Sequence, residues 1–218
     1  MISHALPELV RLATEQAAST GFMMSCDPDT GRLLAALSAA VPTGGRILEL
    51  GTGTGVGTAW ITHGLHDRTD VEVLTVEIDP TAAAVAMAIA WPDWVHLTIG
   101  DAVEITRRSG TFDLIFADAQ GGKWTGLDVT LAALRPGAHL LVDDMQPVTF
   151  VDDNHARKTS EVRDRLHNHR PGQRGDQLVN GVDPQHPTPR PRRIRQHSDG
   201  PGSSALTPIG LPYMFPAR

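Results

Sequence analysis

RILELGTGTGVG, residues 46–57, is a short apolar run followed by glycine at positions 51, 53, 55 and 57. Five residues rich in Ile and Leu are too few for a stable helix and predict a buried strand. VGTAWITHGL (56–65) follows and has the length and composition of a helix. Glycines between a strand and a helix let backbone approach a ligand closely, and the helix start offers N–H groups without intrahelical partners. A dinucleotide-binding turn needs Gly or Ala three residues after its second glycine. In the three possible registers that position holds Val56, Thr58 or Trp60. The pattern is instead E-x-G-x-G-x-G, with Glu49 ahead of the turn, so a nicotinamide-dependent oxidoreductase is disfavoured.

Outward from this unit, strand and helix alternate. LPELVRLATEQAA (6–18) and the stretch from Asp29 to Ala40 carry apolar residues at helical spacing, the second stopped by Pro42 and the glycines after it. VEVLTVEID (71–79) predicts a second strand, and PTAAAVAMAIA (80–90) a helix with Pro80 in its first turn. WVHLTIGD (94–101) predicts a third strand, FDLIFADA (112–119) a fourth, GLDVTLAALRP (126–136) a helix and GAHLLVDDM (137–145) a fifth strand. Near-continuous apolar strands joined by helices predict an α/β fold, a mostly parallel, Rossmann-like sheet with helices on both faces. Such sheets bind ligands beyond the carboxyl ends of their strands.

The 218 residues, about 40% of them apolar, suffice for one well-cored domain. No run approaches the roughly 20 apolar residues of a membrane span, and no leader-like segment is evident. The expectation is a cytoplasmic protein with no membrane association. The single cysteine, Cys26, is expected to be an ordinary thiol. Residues 1–169 hold 12 Lys and Arg against 22 Asp and Glu, a net of −10, which repels a phosphate backbone and speaks against a nucleic-acid partner. A small-molecule partner fits better.

LELGTGTG (48–55), TVEIDP (75–80) and IGDA (99–102) stand in that order, each at a predicted strand end. Together they resemble the cofactor motifs of the class I S-adenosylmethionine-dependent methyltransferases. The resemblance implies that Glu49, Gly51, Thr52, Gly53 and Gly55 surround the methionine and ribose part of the cofactor. It implies that Glu77 accepts hydrogen bonds from both ribose hydroxyls, with Ile78 beside it, and that Asp101 and Ala102 lie at the adenine.

After the fourth strand, FADAQGGKW (116–124) lacks the Asn/Asp-Pro-Pro-aromatic box of amino-directed DNA methyltransferases. It resembles the O-methyltransferases related to the catechol and caffeoyl-coenzyme A enzymes. FMMSCDPDTGRLLAAL (22–37) is similar to the helix those enzymes place before the first motif, and RPGAHLLVDDM (135–145) is similar to their fifth-strand segment. The resemblance implies methyl transfer to a hydroxyl oxygen of a small aromatic acceptor. It makes Lys123 the general base or the cationic partner of the acceptor oxygen, with Asp118 and Asp144 as further catalytic groups and Asp118 also beside the cofactor. It assigns Asp118, Asp143 and Asp144 as ligands of a divalent cation such as Mg²⁺. Two departures bear on that set: Asp144 stands where the family has Asn, and the stretch from Asp118 to Lys123 is two residues longer than the family spacing. A metal-free enzyme that positions its acceptor with the same acids is the alternative for the site. A cofactor-binding but catalytically inactive protein is the alternative for the chain. Trp60 is expected in the core, Trp91, Trp94 and Trp124 near the adenine or the acceptor, and His63, His66 and His155 in solvent.

The domain is expected to span 1–169. Class I methyltransferases finish with an antiparallel strand pair after a helix that NHARKTSEVRDRLHNH (154–169) resembles. From Arg170 on, the chain holds nine of its 16 prolines and no strand-like alternation. Residues 170–218 are therefore expected to form a disordered Pro/Arg-rich tail, with the terminal strand pair missing. The fifth strand would then expose an edge and favour aggregation or a homodimer. A frameshift near Arg170 in a GC-rich gene accounts for such a composition. Synonymous codons for QLVNGVD (177–183), read one base out, can spell Asn-Trp-Ser-Thr-Gly-Leu-Ile, similar to the WSTG hairpin of bacterial family members. Sequencing the encoding DNA checks this: an intact gene whose shifted frame meets an early stop removes the idea.

Overall fold

The computed structural model describes residues 6–145 and 153–168, and the backbone of 213–216. At its centre lie β1 (Arg46–Leu50), β2 (Glu72–Glu77), β3 (Val95–Ile99), β4 (Phe112–Ala117), β5 (Leu134–Val142) and β6 (Tyr213–Pro216). They form one sheet in the order β3-β2-β1-β4-β5-β6. β1 to β5 are parallel and β6 is antiparallel to β5. The chain steps outward from β1 to β3 and then returns to the far side of β1 for β4. The carboxyl ends of β1 and β4 are thus the switch point at which such sheets open a crevice.

Side chains alternate across a strand, and β1 shows the consequence. Ile47 joins the core formed with α1 (Glu8–Thr20), α2 (Pro28–Ala40) and α3 (Val56–Leu65). Leu48 and Leu50 join the opposite core, with α5 (Ala102–Arg108), α7 (Leu127–Ala132) and α8 (Asp153–Asn168). Glu49 shares Ile47's face, so this carboxylate is driven under α3 by register alone.

Helices α2 and α3 meet at small residues. A Cβ on Gly64 would collide with the Ala35 backbone carbonyl, and one on Gly31 with the Trp60 indole. Backbone cannot yield as a flexible side chain does, so Gly64→Ala should cost on the order of 3 kcal/mol. It should lower the Tm by roughly 6–12 °C, read by thermal unfolding; an unchanged Tm would contradict this packing.

Four differences from the sequence expectation have physical causes. The helix expected over 126–136 stops at Ala132, because Leu134 already pairs with Phe112 and both are buried. The register then shifts before Leu114 meets His139, and Pro136, which cannot donate to a ladder, lies in that irregularity. Helix α5 was not anticipated; its signal is Asp101, whose side chain accepts from the Glu104 N–H as an N-cap. Residues 22–27 are not helical, and α2 starts at Pro28, capped by Asp27 accepting from the Asp29 N–H. Finally, the expectation that β5 lacks a C-terminal neighbour is corrected: Tyr213–Pro216 pairs with it, Val142 opposite Tyr213. Four residues ending in proline show no alternation to read, and an edge strand tolerates that proline. Residues 169–212 and 217–218 lie outside the described residues, and with them the expected disorder of the tail and the second strand of the pair. So do residues 1–5 and 146–152.

Candidate active site

The glycine loop folds onto the ends of two neighbouring strands. The N–H groups of Gly51 and Thr52 both donate to the Val76 carbonyl, at 2.9 and 3.1 Å. Gly51 has φ +102°, and a Cβ there would press on the Asp118–Ala119 backbone at the end of β4. Only glycine meets both demands cheaply. The Gly53 N–H donates to Glu77 Oε2 at 2.7 Å, while Glu77 Oε1 accepts from the N–H groups of Ile78 and Asp79, each at 2.9 Å. The Glu77 carboxylate thus ties the loop to the end of β2 and, with Oε1 accepting two N–H groups and Oε2 one, keeps one of its roughly four lone-pair sites open on Oε2.

Glu49 is fully buried below the loop. Its Oε2 accepts from the hydroxyls of Thr75, its register partner on β2, and Thr58 on α3. The Thr52 hydroxyl stands 2.6 Å from that of Thr75, extending the chain to the loop. Oε1 has no hydrogen-bond partner among the described residues, and the same holds for Thr54 Oγ1 and Ser25 Oγ. The fourth glycine of the opening stretch, Gly57, makes room for this carboxylate: a Cβ there would overlap Glu49 Oε1. Burial pushes the Glu49 carboxyl up to about 7, against the downward pull of the two threonine hydroxyls.

Two adjoining spaces share Phe22, Met24, Gly51, Gly53 and Asp118 as walls. One is a small polar cavity under the loop, reached by Glu49, Thr54, Ser25 and Cys26. The other is a cleft of about 420 Å³ along the strand ends, reached by Glu77, Ile78, Asp101, Ala102 and Gln120. Ile78 is exposed on its wall, as an aromatic ring partner requires. Cys26 is buried, and burial with the nearby Asp143 and Asp118 carboxylates pushes its thiol well up, so it is an unreactive wall group. Trp60 is in the core, and Trp91 caps the loop: its ring edge stands within contact of Gly55, and its N–H donates to the Ala86 carbonyl.

The acidic residues gather because β4 and β5 end side by side, Ala117 opposite Val142. Asp118 and Asp143 follow directly. Burial, with the Asp143 charge next in weight, pushes Asp118 up to about 8, and burial also raises Asp143. Asp144 has φ +59°, a conformation that Asp and Asn tolerate better than most residues. Lys123 is only 1% exposed. Its Nζ lies 2.6 Å from Asp144 Oδ2, 3.7 Å from Asp118 Oδ1 and 4.9 Å from the Trp124 ring centre. The two extra residues of the loop bring it in rather than hold it off: Gly122, at φ +92°, turns the chain, and its carbonyl accepts from the Thr130 hydroxyl. His155, expected in solvent, is partly buried against the Trp124 ring, its Nε2 2.8 Å from the Asp144 carbonyl. Arg163 donates to the Met145 carbonyl at 2.7 Å, so α8 braces the aspartate turn from behind.

The three aspartates do not converge as a metal cage. Asp143 Oδ1 accepts from the Asp144 N–H at 2.8 Å, and Lys123 occupies the approach to Asp144 and Asp118. Among the described residues no group of three or more His, Cys, Asp or Glu side chains is arranged to hold an ion. The residues present do not fit the Mg²⁺ that the family resemblance implied.

Residues 48–145 match the family model described as a methyltransferase domain. The chain is 33% identical over 119 residues to a protein of Mycolicibacterium smegmatis, covering 51% of this chain and 54% of that one. It is 31% identical over 150 residues to one of Mycolicibacterium vanbaalenii, covering 64% of each. Both relatives are named "Putative O-methyltransferase", and the chain spans between about half and two thirds of their lengths. In fold it is similar to an O-methyltransferase of Bacillus cereus solved with S-adenosylhomocysteine, at TM-score 0.66 and 20% identity over 77% of this chain and 82% of that one. In sheet order and glycine loop, and in the segment 48–145, the chain is similar to S-adenosylmethionine-dependent methyltransferases. No helix among the described residues is long and apolar enough to cross a membrane.

Proposed function

We propose that the chain binds S-adenosylmethionine and, in the cytoplasm, transfers its methyl group to a hydroxyl oxygen of a small aromatic molecule. The observation that carries this is the division of the rim at Gly51 and Gly53. On one side is a cleft with a carboxylate suited to a vicinal diol. On the other is a small cavity whose walls hold three unpartnered buried polar atoms, which an amino-acid head group satisfies. S-adenosylmethionine supplies a methyl group on a sulfonium, which an oxygen nucleophile takes while the C–S electron pair stays on sulfur. Glu77 holds the ribose hydroxyls, Ile78, Asp101 and Ala102 flank the adenine, and Thr52 and Glu49 face the amino-acid end.

Asp118 and Asp144 border the place where the acceptor enters. Asp144, half-exposed and held by Lys123, takes the proton of the acceptor hydroxyl, and the Lys123 ammonium stabilises the oxygen anion as it forms. The charge of −10 on residues 1–169 favours a small acceptor over nucleic acid. Incubation with methyl-labelled cofactor and a panel of catechol-like acceptors tests the reading: label appears in an ether product. Stoichiometric cofactor binding without transfer to any acceptor supports the inactive binding protein instead.

A further inference from the structure

Resting on the methyltransferase reading, we propose that Lys123 is the built-in cation of the acceptor site. It stands among the aspartates where the family resemblance places a divalent ion, so that the chain works without a metal. Three observations carry this. Lys123 is 1% exposed, and a buried ammonium needs carboxylate partners; it has one at 2.6 Å in Asp144 and a second at 3.7 Å in Asp118.

The segment that delivers it is built for the purpose. Gly122 takes a left-handed turn where a Cβ would collide with Leu50, its N–H donates to the Thr125 carbonyl at 2.7 Å, and its own carbonyl accepts from Thr130. The third aspartate, Asp143, spends an oxygen on the Asp144 N–H. The two departures from the family pattern then explain one another. A longer loop lets the lysine reach inward, and a carboxylate in place of an amide at position 144 gives it a charged partner.

A Mn²⁺ titration of the full chain, following the electron paramagnetic resonance signal of free Mn²⁺, tests this without reference to turnover. The expected result is no stoichiometric uptake by the parent at millimolar Mn²⁺, and at least about tenfold tighter Mn²⁺ binding by Lys123→Gln. Lys123→Arg, which keeps the cation, should behave as the parent. One equivalent of Mn²⁺ bound by the parent overturns the proposal, and so does equal Mn²⁺ affinity in parent and Lys123→Gln. If Lys123→Gln fails to fold, the parent and Lys123→Arg titrations decide. S-adenosylhomocysteine calorimetry on the same samples, in chelator and in Mg²⁺, separates the two readings: absent binding sinks the methyltransferase reading, while the Mn²⁺ result still judges Lys123.

Discussion

Glu77→Ala is expected to weaken S-adenosylhomocysteine binding by roughly 100-fold. A hydrogen bond to a charged group contributes on the order of 1.5–3 kcal/mol, the open lone pair on Oε2 takes one from the diol, and each 1.4 kcal/mol is about tenfold. The substitution also frees the Gly53 N–H that anchors the loop. The residue lies at the end of β2, at the rim of the cleft, so the freed N–H groups turn to water and the fold should lose only about 1 kcal/mol. The same loss should appear with 5′-methylthioadenosine, which keeps the ribose and lacks the amino acid. Calorimetry with both ligands checks this; unchanged affinity for either would remove the carboxylate from the diol.

Glu49→Gln is expected to do two opposite things. Folding lifts this carboxyl from its ordinary 4.5 to about 7, so between those values the folded chain holds a proton the unfolded chain has lost. The native state therefore loses stability as pH rises from about 4.5, and the loss levels off above about 7. A shift of that size corresponds to about 3 kcal/mol. Glutamine keeps an oxygen for the Thr58 and Thr75 hydroxyls and carries no charge, so at pH 8 the variant should be more stable by up to that amount and lack the parent's decline. It should also bind S-adenosylhomocysteine about 10- to 100-fold more weakly, through the lost partner of the α-ammonium, and 5′-methylthioadenosine no differently. Urea unfolding at pH 5 and 8, with calorimetry for the two ligands, reads both effects. A variant destabilised at pH 8 would show that Glu49 is ionised and fully satisfied in the free protein.

The spacing of apolar runs and the glycines after β1 made the sheet and its open edge legible, because strand burial and loop geometry are local demands. Glu49 was legible as the acid ahead of the glycine turn, yet its place under α3 came from alternation along β1, and its threonine partners lie on other elements. Phe22 and Met24 stood in a stretch read as helix and carried no site role; they line both spaces because residues 22–27 are not helical and fold over the loop. Lys123 illustrates the limit most clearly: counting residues from Asp118 suggested a poor reach, whereas the left-handed Gly122 reverses the chain and buries the ammonium. His155 looked like one of many polar helix residues until α8 set it against Trp124 and the Asp144 carbonyl. The β6 pairing depends on a contact more than 70 residues away in sequence, which no local pattern announces.

The central claim is that the rim between β1, β2 and β4 holds a nucleoside joined to an amino acid. Titration of S-adenosylhomocysteine into the purified full chain tests it most directly. Saturable one-to-one binding, with no response to NAD, is the predicted result; a flat titration, or displacement of the bound ligand by NAD, would contradict it.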